Sequence, residues 1–185
     1  MADVVEQFVE IAREYRAWVL TGTDRGAEAA RRALRLVNRL YLAALVLPPR
    51  WCEDRDEVEP PPPPGSREVY LALAARLPFQ HYGEVFNPLP IPPAESTVGD
   101  LADDLADIFS EVDDGLRRLE AGQPAQAVWE WGFGLVHHWG EHATSAIRAL
   151  HCWLAAEHPE LLAEPRHAEP SATADPARHI GSGGS

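Results

Sequence analysis

Residues 97–121 read TVGDLADDLADIFSEVDDGLRRLEA. Leu101, Leu105, Ile108, Val112, Leu116 and Leu119 recur every three or four residues, which is the spacing of one apolar stripe on a helix. Thr97-Val98-Gly99-Asp100 has capping-box spacing at its start, and Gly122 is a natural stop after Ala121. The stretch therefore predicts a helix of about six turns with a buried face.

The same period extends in both directions. Residues 3–20 carry Val5, Phe8, Val9, Ala12, Tyr15 and Val19 on one stripe, and Gly22 ends it. Asp24 is placed to cap a second helix reaching about Val46. Ala30, Ala33, Leu34, Val37, Leu40, Tyr41, Ala44 and Leu45 face inward, and Arg31, Arg32, Arg35 and Arg39 mark its outer side. Pro48-Pro49 terminates it, and a short link makes the two helices an antiparallel pair. Ser66 opens a short helix over roughly 67–77. Gln123-Pro124 opens a last helix expected to run unbroken to about Glu157, despite Gly132, Gly134 and Gly140, which invite close approach by a neighbour.

Between these lie two proline-rich segments. Residues 50–65 are acidic and contain Pro60 to Pro64, which reads as a solvated polyproline II linker or insertion. Residues 78–96 hold Phe79, Tyr82, Val85, Phe86 and the string Asn87-Pro88-Leu89-Pro90-Ile91-Pro92-Pro93, so they read as an ordered apolar loop lying on the bundle. No strand alternation or repeat emerges. The expectation is one all-α domain over 1–160, four-helix-bundle-like with an extra short helix. A disordered tail over 161–185 follows, ending in the linker-like Gly181-Ser182-Gly183-Gly184-Ser185. Whether the 1–47 hairpin packs on the 97–157 helices within one chain or across a homodimer stays open.

The chain has 185 residues, 16 basic and 29 acidic, for a net charge of −13. Every basic residue is Arg. The absence of Lys excludes a phosphate-loop lysine, a Schiff-base lysine and a Ser–Lys dyad. The acidity excludes a sequence-independent nucleic-acid binder. It is unevenly spread: residues 1–50 have 8 Arg against 6 acids, while residues 51–122 have 5 Arg against 16 acids. The start lacks a signal-peptide pattern. The longest apolar stretch, Leu40 to Pro49, is far shorter than the roughly 20 residues that span a bilayer. Cys52 and Cys152 read as reduced thiols, and the expected compartment is the cytoplasm.

Three constellations could carry chemistry. Asp100, Asp104, Asp107 and Glu111 fall within about 60° of each other at 100° per residue, at the edge of the core stripe, with Asp103, Asp113 and Asp114 on the far side. This edge suits a divalent metal, pairing with the Arg-rich second helix, or plain solvation. His138 and His142 are one turn apart, with Glu141 adjacent in angle, and His142 falls on the apolar face. They suit a core hydrogen bond to Asp104 or Asp107, a shared metal such as Zn, Mn or Fe, or acid–base work. Trp131, Trp139 and Trp153 are core by angle, whereas Trp129 points elsewhere, where it could anchor a partner.

Several of these strings resemble a bacterial domain-of-unknown-function family catalogued under the number 5063. They are Asp103-Asp104-Leu105-Ala106-Asp107-Ile108-Phe109, Trp129-Glu130-Trp131 with Phe133, His138-Trp139-Gly140 with His142, and Ala149-Leu150-His151. The likeness covers roughly residues 4–155. It implies a small bacterial protein without an established activity, and its polar positions map to Asp104, Asp107, Trp129, His138 and His142.

Two functions follow as expectations. The favoured one is a non-catalytic protein-interaction or regulatory module, because no complete catalytic set is visible. It needs no cofactor, nucleic acid or membrane. The alternative is a metal-binding bundle with hydrolase-type activity, using His138, His142, Asp104 and Asp107. Its third imidazole would have to be His81.

Overall fold

The computed structural model describes residues 2–48, 65–85, 87–93 and 95–162. The polyproline run, Cys52, Phe86 and the expected disordered tail from residue 163 lie outside the described residues. The described chain is mainly helical: α1 (Ala2–Thr21), α2 (Gly26–Ala44), α3 (Ser66–Ala74), α4 (Leu101–Glu120), α5 (Pro124–His137) and α6 (Trp139–Glu157), with a 3-10 turn at Pro159–Leu161. None of these helices is long and apolar enough to cross a membrane.

Helix α4 is the hub. It packs against α1, α3, α5 and α6, while α2 packs on α1 and α6. The hairpin of α1 and α2 therefore docks on the later helices within one chain. The predicted stripe of α4 is buried from Leu101 to Leu116, with Leu119 half-buried at its end. Tyr15 on α1 donates its hydroxyl to the Leu105 carbonyl (2.8 Å), a buried bond that ties α1 to the hub.

Trp131 fills the centre. Its ring lies 4.7 Å from Phe8, and its indole N–H donates to the Val112 carbonyl. The ring passes directly over Gly115, where an added Cβ would sit 2.1 Å from the indole nitrogen. Glycine in the middle of a helix costs about 1 kcal/mol of propensity relative to Ala, and here it is the space that admits Trp131.

Three expected helix caps and one expected loop need correction. Asp100, not Thr97, caps α4: its carboxylate accepts from the Ala102 and Asp103 amides. Thr97–Asp100 is instead strand β2, antiparallel to β1 (His81–Glu84). A four-residue pair is too short to show alternation in sequence. Asp24 does not cap α2; it accepts hydrogen bonds from Arg76 and Trp18. Ser66 is the first helical residue of α3 rather than its cap, because Gly65 holds the cap position.

The largest correction is the last helix. It breaks at His138 (φ −152°, ψ −81°) into α5 and α6. Trp139 must turn inward, where it is fully buried and donates to the Trp131 carbonyl. A Cβ on Gly140 would lie 2.0 Å from the Leu135 carbonyl oxygen, so only glycine fits this join.

The acids also differ from expectation. Asp113 is on the face of α4 that points to α1, not to solvent. It is 1% exposed and ion-paired with Arg16 (2.9 Å) and Arg117 (3.0 Å). The arginines of α2 leave α4 alone: Arg31 pairs with Glu28, and Arg32 and Arg39 pair with Glu14. In the apolar loop, Phe79 and Tyr82 pack on the bundle, but Leu89 and Ile91 are 84% and 95% exposed.

Replacing Gly115 with Ala should test the Trp131 packing. Overpacking a rigid buried ring costs about 1–3 kcal/mol, more than the propensity gained. Gly115→Ala is therefore expected to lower Tm in thermal unfolding. An unchanged or raised Tm would contradict the close approach.

Candidate functional site

One edge of α4 and the α5–α6 break meet to form a polar cluster. Asp104, Asp107 and Glu111 share a face of α4 because they are spaced by three and four residues. His138 is the break residue itself, and His142 follows one turn into α6. The two imidazoles stand edge to face, with ring centres 4.8 Å apart.

Each imidazole has a carboxylate on its Nδ1. His142 Nδ1 donates to Asp104 Oδ1 at 2.8 Å, and His138 Nδ1 lies 2.5 Å from Glu111 Oε1. Glu111 reaches His138 by lying over Gly134, where a Cβ would meet its Oε2 at 1.8 Å. The second oxygen of Asp104 accepts the Tyr82 hydroxyl at 2.5 Å. Asp104 is buried and has partners on both oxygens.

With Nδ1 occupied, each ring keeps Nε2 for other work. His142 Nε2 is 3.5 Å from Asp107 Oδ2. Asp107, His138 and His142 each present a potential ligating atom, all within 4.8 Å of one another. The set is nitrogen–nitrogen–oxygen, with a carboxylate behind each imidazole. That arrangement orients histidines on catalytic zinc and on non-haem iron.

The field here is negative. The Asp104 hydrogen bond raises the His142 pKa, opposed by partial burial and helped by the charges of Asp104, Asp107 and Asp103. Partial burial and the neighbouring carboxylates of Asp107, Asp100 and Asp104 push Asp103 up. Burial and the Asp104 bond raise Tyr82 well above the ordinary phenol range, so it stays a neutral donor.

Of the residues expected from sequence, Asp104, Asp107, Glu111, His138 and His142 come together. Asp104 and Glu111 stand behind the imidazoles rather than beside Asp107. Glu141 and His81 are elsewhere. Glu141 is exposed, and His81 Nε2 sits 3.9 Å from Asp100 on the strand pair. Trp129 is half-buried on α5, stacked on Phe133 at 4.9 Å, which in turn contacts His137 at 4.4 Å. Tyr82 was visible in sequence only as part of an apolar loop. The one hint was its hydroxyl, which needs a partner once buried.

A cleft of about 670 Å³ opens between β1 and α6, and Tyr82 and Glu141 line it. Tyr82 thus touches both the cleft and the Asp104–His142 pair. The cleft is absent from the sequence expectations because it forms between a strand and a helix 60 residues downstream.

His142 titration tests the Asp104 bond. In chelator-treated protein, NMR should give His142 a pKa above the ordinary value near 6.5, and Asp104→Asn should lower it. A raised folded pKa stabilises fully below the unfolded value, and the effect is lost as pH rises through the folded pKa. Asp104→Asn should therefore lose most stability at acidic pH. An unchanged His142 pKa in the variant would contradict the pairing.

No curated protein matches the chain. Among solved structures, the crystal structure of protein BF1032 from Bacteroides fragilis is similar, with a TM-score of 0.65 and 21% identity over 80% of this chain and 90% of that one. That likeness establishes a shared fold. The family described as a domain of unknown function (DUF5063) matches residues 1–156, including every element described above except the closing 3-10 turn and the last residue of α6. The chain belongs to the DUF5063 family.

Proposed function

We propose that the protein binds a divalent transition metal, of the zinc, manganese or iron(II) class, through Asp107, His138 and His142. The observation that carries this is the paired use of Nδ1. Asp104 and Glu111 each take one imidazole by that nitrogen, which leaves Nε2 of each ring for a metal, and His142 Nε2 is 3.5 Å from Asp107 Oδ2. A purely structural His–Asp bond needs one histidine and one acid; two such pairs beside a third carboxylate fit a metal better.

Ligating atoms on zinc, with bonds of about 2.1 Å, lie about 3.4 Å apart. The three atoms now lie within 4.8 Å of one another, so binding requires them to draw closer by about 1 Å. Three protein ligands leave coordination positions for water, and the side chains of His138 and Asp107 are 51% and 38% exposed. A metal held this way lowers the pKa of bound water and supports hydrolytic chemistry. His81 is not needed as a ligand in this reading. The working compartment is the cytoplasm, where the exposed thiol of Cys152 stays reduced.

A second reading, a protein-docking face, rests on the stacked Trp129–Phe133–His137 ladder of α5, beside which Val136 is 73% exposed. Affinity capture with wild-type and Phe133→Glu chains tests it. A stoichiometric protein lost with the variant supports docking, and recovery of none at physiological salt counts against it.

Titration calorimetry with Zn²⁺, Mn²⁺ and Fe²⁺ on tag-free protein tests the metal. One equivalent should bind for at least one of these ions. His142→Ala should abolish it, and Asp104→Asn should weaken it about 10–100-fold. Gly134→Ala should weaken it too, by displacing Glu111. No saturable binding, or binding unaffected by His142→Ala, would overturn the proposal.

A further inference from the structure

From its aromatic wall and mixed charges, we infer that the cleft between β1 and α6 binds a small zwitterion bearing an aromatic group, the chemistry of an aromatic amino acid. Its volume of about 670 Å³ lies within the usual range for small-ligand sites. One wall is apolar and aromatic: Phe79 and Trp153 both line it, stacked at 5.8 Å and 29°. A flat ring can lie on such a surface at little entropic cost.

The polar groups of the cleft decide the rest. Glu141, Ser145 and Arg148 follow one another along the cleft face of α6. Glu141 and Arg148 are seven residues apart, so about 10 Å of helix axis separates them. Glu84 of β1 lies between, its carboxylate accepting the Ser145 hydroxyl. The cleft thus carries Glu141 at one end, Glu84 in the middle on Ser145, Arg148 about one turn of α6 further on, and aromatic rings beyond it.

That order selects against singly charged ligands. A simple anion would meet Arg148 but also face Glu84 and Glu141. A simple cation would meet the carboxylates but leave Arg148 opposed. A ligand with both charges satisfies Arg148 and the carboxylates together, and unpaired charge at a partly desolvated site is the stronger source of discrimination. This inference does not depend on a bound metal.

Three matched probes test it: L-tryptophan, indole-3-propionate and tryptamine, each titrated by calorimetry and amide NMR in the presence of EDTA. L-tryptophan should bind about tenfold more tightly than either analogue, with the largest shifts at residues 144–153. Arg148→Gln should reduce L-tryptophan to the level of tryptamine, and Glu141→Gln should reduce it toward indole-3-propionate. Both positions are exposed, so circular dichroism should show unchanged folds. No binding of L-tryptophan at a few millimolar would overturn the inference. So would equal binding of either analogue, or indifference to Arg148→Gln.

Discussion

Asp104 holds the polar cluster between α4, α6 and β1 together. It is 6% exposed, and an isolated buried carboxylate would be costly. It is tolerated because each oxygen has a donor from a different element: His142 from α6 and the Tyr82 hydroxyl from β1. One side chain on α4 therefore fixes the strand pair, the start of α6 and the orientation of an imidazole. That orientation turns the Nε2 edge of His142 toward Asp107.

The break between α5 and α6 supplies the second half. An unbroken helix would carry His138 and His142 at fixed helical spacing along one axis. The break lets His138 sit against Glu111 while His142 sits against Asp104, two carboxylates seven residues apart on α4. Its cause is packing: Trp139 turns into the core beneath Trp131, and Gly140 admits the Leu135 carbonyl. The same buried tryptophans that stabilise the bundle thus shape the site.

Much of this was legible in the residues. The 3.6-residue period places Asp104, Asp107 and Glu111 on one edge, and it places His142 against them. What escaped were features set by neighbours rather than by period. Asp113 has the right angle for solvent on an isolated helix, but α4 is surrounded by four others, so its far side meets α1 and Arg16. The strand pair is too short to alternate visibly, and its antiparallel register decides that Tyr82, not His81, reaches the α4–α6 cluster. The His138 break depends on Trp139 finding the Trp131 carbonyl, a contact no local propensity encodes.

If Asp107, His138 and His142 hold one metal ion, crystals grown with Zn²⁺ and measured at the zinc absorption edge will reveal it. One anomalous peak is expected about 2.0–2.2 Å from Nε2 of both histidines and from an Asp107 oxygen, with Asp104 and Glu111 still on the Nδ1 atoms. No peak there, or a peak bound by other residues while the imidazole–carboxylate pairs stay closed, would contradict this ligand set.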